Sequence, residues 1–142
     1  MDDVGRVLDP PVRWVRARWD EPDLVGQAVD GLDGSCMTFL YEFTAAGVVL
    51  RAIELLGASD HPVGAASLAE FWQAQEYRRQ AATPSLLVYE SRYGNVPQGV
   101  EADWGDYPHE AITEEEFERV WTTSRAHLDE DPRDSHFRTP AM

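Results

Sequence analysis

The stretch Met37-Thr38-Phe39-Leu40-Tyr41-Glu42-Phe43-Thr44-Ala45-Ala46-Gly47-Val48-Val49-Leu50-Arg51-Ala52-Ile53-Glu54-Leu55-Leu56 decides the fold. Met37, Phe39, Tyr41 and Phe43 recur at the two-residue period of a strand, and Val48 to Leu55 is a second run rich in branched residues. Between them Thr44-Ala45-Ala46-Gly47 ends on the residue that accepts positive φ, the chemistry of a hairpin turn. The two runs are therefore expected to pair antiparallel. Pro62 to Ala66 is positioned to return as a third short strand.

Working outward, Ser67-Leu68-Ala69-Glu70 reads as a capping box, with Leu68, Phe71, Trp72 and Gln75 at helical spacing behind it as far as about Gln80. Pro84 can open a second helix carrying Leu86, Tyr89 and Tyr93, stopped by Gly94, with a strand over Leu86 to Tyr89 as the competing reading. Residues 95–112 hold Pro97, Gly99, Gly105 and Pro108 and are expected to form a long acidic loop. Thr113-Glu114-Glu115-Glu116 is a second box, followed by Phe117, Val120, Trp121, Ser124 and Leu128 on one helical stripe. On the N-terminal side, Val12 to Trp19 alternates loosely as a half-buried strand, and residues 20–34 read as an acidic, glycine-containing loop. The expected class is α+β: an antiparallel sheet of three to four strands with about three helices on one face. Residues 1–128 form one domain in this reading, and 129–142 a polar tail.

The chain carries a formal net charge of −14, and all twelve of its basic residues are arginine. Absence of lysine with a single asparagine, Asn95, points to a high-GC bacterial source. Residues 20–60 carry eight acids against Arg51, and residues 101–118 eight acids against no arginine. Surfaces of that sign repel phosphate, which argues against nucleic acid and anionic lipid as partners. No apolar run approaches the roughly 20 residues that span a bilayer, and Met1-Asp2-Asp3 is acidic where a signal peptide is basic, so a cytoplasmic location is expected. Cys36, the one cysteine, reads as a small packing residue.

Two motifs carry a resemblance. Arg51-Ala52-Ile53-Glu54 on the second hairpin strand and Ile112-Thr113-Glu114-Glu115-Glu116-Phe117-Glu118-Arg119-Val120-Trp121 on the late helix are similar to those of a group of small, largely uncharacterised bacterial α+β domains. The resemblance covers roughly Arg13 to Leu128. It implies helices on an antiparallel sheet and a loose association with toxin and immunity gene neighbourhoods, and it brings no catalytic activity.

No phosphate loop, dinucleotide fingerprint or H-E-x-x-H motif occurs, and His61, His109, His127 and His136 are scattered, so neither a cofactor nor a metal site is expected. Glu42 and Arg51 face each other across the turn, directly or diagonally. They read either as an exposed ion pair or as part of a ligand site in which Arg51, Tyr41 and Glu42 line a pocket and Glu54 with His61 serves as an acid and base pair. Of the five tryptophans, Trp14, Trp72 and Trp121 fall on expected core stripes. Trp104 and Tyr107 stand among Asp103 and Asp106, either as a partner-binding surface or as a loop folded back on the domain. The leading expectation is a non-enzymatic, immunity- or inhibitor-like protein that engages a basic protein partner through Asp20, Glu21, Asp23, Asp103, Trp104, Asp106 and Tyr107. The alternative is a small pathway enzyme or ligand-binding protein with its pocket around Arg51.

Overall fold

A computed structural model describes residues 8–19, 36–81 and 85–130. Its strands are β1 (Pro11–Trp19), β2 (Met37–Thr44), β3 (Val49–Leu56), β4 (His61–Ser67) and β5 (Glu110–Ile112). The helices are α1 (Leu68–Ala81), α2 (Ser85–Tyr93) and α3 (Glu114–Glu130), with a 3-10 turn at Glu101–Trp104. All strand pairs are antiparallel and the order is β4-β3-β2-β1-β5. The α+β class is as expected, with one strand more than the three to four anticipated.

The additional strand is β5. It pairs Ile112, Ala111 and Glu110 with Trp14, Val15 and Arg16 inside the segment expected to be loop. Three residues are too few to display a period, and two of them are exposed. What holds β5 to the edge is ionic as well as main-chain: Arg16 Nε donates to Glu110 at 2.8 Å and Arg16 Nη1 to Glu116 at 2.6 Å.

Helices flank both faces of the sheet rather than one. Val15, Phe43, Val49, Ala52 and Ala66 form one buried cluster, against which Phe71 and Trp72 of α1 and Tyr89 and Tyr93 of α2 pack. Leu40, Ile53 and Leu55 point the other way and are covered by Phe117, Val120 and Trp121 of α3. Strand alternation explains the division, because β3 is largely apolar in both phases and β2 turns Phe39, Tyr41 and Phe43 to one face and Leu40 to the other. Along the outer half of β2 the aromatic phase is the shallower one: Phe39 and Tyr41 are half-buried while Thr38, Leu40 and Glu42 are buried, though Phe43 of the aromatic phase is fully buried at the turn.

The hairpin turn is as expected. Thr44 N–H donates to Val48 O and Gly47 N–H to Thr44 O, both at 3.0 Å, and Gly47 has φ +86°. Leu50 is the extra residue of a β-bulge, which brings Arg51 opposite Glu42 and Val49 opposite Phe43. Both capping residues work: Glu70 N–H donates to Ser67 Oγ at 3.1 Å and Glu116 N–H to Thr113 Oγ1 at 3.0 Å. The reach-back expected of Glu70 is replaced, because Ser67 N–H donates to Tyr89 Oη at 2.8 Å; Glu70 accepts from that same Tyr89 Oη at 2.7 Å, and Glu116 accepts from Arg16. α2 is a helix as read, closed by Gly94 at φ +86° with its N–H on Glu90 O at 2.9 Å. Pro84 and residues 131–142 lie outside the described residues; α3 continues past Leu128 to Glu130, and Tyr93 Oη donates to Asp129.

β4 is an edge strand, and side chains occupy two of its outward main-chain groups. Ser67 N–H donates to Tyr89 Oη at 2.8 Å, and Arg125 Nε donates to Ala65 O at 2.8 Å. The same guanidinium binds Glu70 and lies 3.8 Å from the Tyr93 ring centre and 4.6 Å from that of Trp121. Among the described residues no helix is long and apolar enough to cross a membrane.

Candidate functional site

The hairpin residues singled out in the sequence divide between the two faces of the sheet. Glu42 and Arg51 are direct cross-strand partners under α3. Arg51 Nε and Nη2 reach the two Glu42 oxygens at 2.7 and 2.8 Å, the parallel fork geometry that arginine forms with a carboxylate. Trp14 Nε1 donates to the same carboxylate at 3.0 Å, and Glu118 of α3 accepts from the far side of the guanidinium. Phe117 and Trp121 present their rings to Arg51, each at 4.9 Å from ring centre to Cζ. Glu42 is only 4 % exposed, so the pair is internal rather than an exposed one.

Burial alone would weaken the charge on Arg51, but the bonds from Glu42 and Glu118 outweigh it and raise its pKa. In turn the Arg51 hydrogen bond holds the Glu118 carboxyl below the usual carboxylate range. Bound on these sides, the Arg51 guanidinium ties β2 and β3 to α3.

Tyr41 and Glu54 face the opposite way. Glu54 pairs across the strands with Phe39 on one side and Gly64 on the other. Phe39 and Tyr41 lie 5.9 Å apart with planes 6° from parallel, and Tyr41 meets Trp104 edge-on at 5.2 Å. Burial pushes the Glu54 carboxyl up from its ordinary value, and burial followed by the Glu54 charge does the same to the Tyr41 hydroxyl. His61 stands elsewhere, its ring edge-on to His127 of α3 at 4.7 Å, and shares no hydrogen bond with Glu54. The structure thus brings Tyr41 and Glu54 together and separates them from Arg51, Glu42 and His61.

The acidic stretch 101–118 also divides. Glu101 pairs with Arg13, Glu110 and Glu116 with Arg16, and Glu118 with Arg51. Asp103, Asp106, Glu114 and Glu115 are exposed and have no arginine partner among the described residues. Trp104 folds back onto Tyr41 and Phe43 and meets Tyr107 at 5.5 Å, while Tyr107 stacks on His109 at 4.4 Å and donates to Glu101. The loop is seated on the hairpin turn by Glu101 N–H donating to Gly47 O at 2.8 Å. A side chain at Gly47 would bring its Cβ to 3.3 Å from that nitrogen, so glycine serves the close approach as well as the turn.

Between the turn and the loop lies an open groove of about 510 Å³, lined by Arg13, Ala45, Ala46, Gly47, Glu101, Ala102, Gly105, Asp106, Tyr107 and His109. Of the expected partner-binding residues, Asp106 and Tyr107 are on this groove, with Asp103 and Trp104 in the 3-10 turn that leads to it. Asp20, Glu21 and Asp23 lie outside the described residues. Sequence reasoning missed Arg13 and Glu101, whose pairing spans 88 residues. It also missed Arg125 with Glu70, joined across 55. Only the alternation of β1, which places Arg13 in phase with buried Val15, hints at the first.

Burial acts to raise the Glu70 carboxyl, but hydrogen bonds from Arg125 and Tyr89 outweigh it and leave its pKa lowered. Glu118 is lowered as well, so both contribute stability that is present above the unfolded carboxyl value of 4.5 and lost as pH falls through their folded values. The urea midpoint is therefore expected to decline once pH drops below 4.5, and more gently in a Glu70→Gln, Glu118→Gln double variant. An unchanged slope in that variant would exclude these two groups as the cause.

Among the described residues no three histidine, cysteine or acidic side chains gather in a way that holds a metal ion. The chain matches no family model, no curated protein and no solved structure.

Proposed function

We propose that this chain is a non-enzymatic binding protein, immunity- or inhibitor-like, that engages a basic protein partner through the loop Asp103–Tyr107 and the groove beside it. The observation that carries the reading is the division of the acids. Glu101, Glu110, Glu116 and Glu118 are neutralised within the fold, whereas Asp103 and Asp106 are exposed, with no arginine partner among the described residues, beside the half-buried rings of Trp104 and Tyr107. Aromatic anchors rimmed by unpaired carboxylates supply contact area and electrostatic steering together. The toxin and immunity association implied by the motif resemblance agrees with such a role. A ligand clamp at Arg51 finds less support, since Glu42 and Glu118 already occupy its guanidinium.

The test is capture from a lysate of a high-GC bacterium with immobilised wild type and with an Asp103→Asn, Asp106→Asn double variant, at about 0.05 M and 0.5 M salt. A basic protein retained at low salt by the wild type, and reduced about tenfold by either high salt or the variant, is the expected result. Retention indifferent to both changes would overturn the proposal.

A further inference from the structure

The fold repeats one arrangement three times: an arginine laid on an aromatic ring with a carboxylate at its fork. Arg13 lies 4.6 Å from the Phe43 ring centre and binds Glu101. Arg51 lies on Phe117 and Trp121 and binds Glu42 and Glu118, and Arg125 lies on Tyr93 and Trp121 and binds Glu70. Glu54 with Phe39 and Tyr41 presents the carboxylate and the rings a fourth time, and none of the arginines whose side chains are described, Arg13, Arg16, Arg18, Arg51, Arg92, Arg119 and Arg125, is paired with it. Gly64, across from Glu54 on β4, has no side chain to offer.

We infer that the Phe39–Tyr41–Glu54 face is an arginine cradle filled from outside, by a guanidinium of the basic partner. Three features support that occupant. The carboxylate is half-buried with no counterion among the described side chains, a state that costs stability unless a cation arrives. The two rings stand parallel and partly exposed beside the carboxylate, and a planar guanidinium stacks on such a ring better than a compact ammonium does. Tyr41 touches Trp104, so the cradle is continuous with the loop assigned above to partner binding. The inference rests on that assignment for the identity of the partner, though not for the chemistry of the cradle.

N-acetyl-arginine amide serves as a probe and N-acetyl-citrulline amide, its neutral isostere, as the control. Titration at millimolar concentrations, followed by NMR of the Phe39 and Tyr41 rings and the Glu54 carboxyl carbon, is expected to give saturable shifts with arginine and none with citrulline. Glu54→Gln, which removes an uncompensated charge and should fold, is expected to weaken binding at least about tenfold, and Tyr41→Leu to weaken it too. Glu115→Gln, a change to an exposed acid on α3, leaves it unaltered. Equal shifts with citrulline, or binding undiminished in Glu54→Gln, would sink the inference. The two proposals fail separately. Salt-sensitive capture lost in Asp103→Asn, Asp106→Asn with no probe binding removes only the cradle, and probe binding with no salt-sensitive partner removes only the protein-partner reading.

Discussion

Arg51→Ala is expected to lower the free energy of unfolding by about 3–5 kcal/mol, the range for breaking a buried ion pair from one side. The size follows from what stays behind. Glu42 remains buried with its carboxylate held only by Trp14 Nε1, and Phe117 and Trp121 lose the guanidinium on which they pack. Glu118 contributes little to the loss, because its side chain is 46 % exposed and solvent can replace its partner. A Glu42→Leu, Arg51→Met double variant distinguishes lost attraction from stranded charge. If the stranded carboxylate dominates, the double variant recovers most of the stability that Arg51→Ala removes. Urea unfolding of the three proteins reads this directly, and a loss below about 1 kcal/mol in Arg51→Ala would mean that the Glu42 site is hydrated.

Arg125→Ala is expected to cost about 2–3 kcal/mol and to change the association state as well. Its guanidinium closes the β4 edge through Ala65 O, neutralises Glu70 and covers the rings of Tyr93 and Trp121. Removing it leaves a carbonyl of an edge strand without a donor, the condition that invites strand addition. Arg125→Lys retains the charge but loses the planar fork and the stacking, so it recovers only part of the loss. Sedimentation or size-exclusion measurements over a concentration series should show self-association in Arg125→Ala and not in the wild type. A strictly monomeric Arg125→Ala would mean that Tyr89 alone guards the edge.

The local parts of the fold were legible in the sequence for reasons that can be named. Gly47, Ser67, Thr113 and Gly94 each act on residues within five positions, so turn, caps and stop are read where they are written. Long-range choices were not legible. Phe39 and Tyr41 outrank Thr38 and Glu42 in hydrophobicity, yet Thr38 and Glu42 are the more buried residues, Arg51 on the neighbouring strand making Glu42 fit to bury. β5 was hidden for a related reason, being specified by Arg16 and by pairing with β1 rather than by a period of its own. At the candidate site, Glu42 with Arg51 was visible as a pair but not as a closed one. The kinship of Glu54 with three arginine-filled carboxylates emerges only once Glu101, Glu42 with Glu118, and Glu70 are seen with their partners.

The pairing of β1 with β5 also sets a schedule for synthesis. β2, β3 and β4 follow one another along the chain and can pair as they leave the ribosome, but the sheet's outer partner for Trp14–Arg16 and the helix that covers Leu40 and Ile53 come from residues 110–130. Until that segment emerges, the nascent hairpin holds Glu42 and Arg51 on an open, partly greasy face. Completion of the sheet edge and of the face under α3 thus waits on residues 110–130, and apolar surface left open until then is of the kind that makes folding intermediates prone to aggregate.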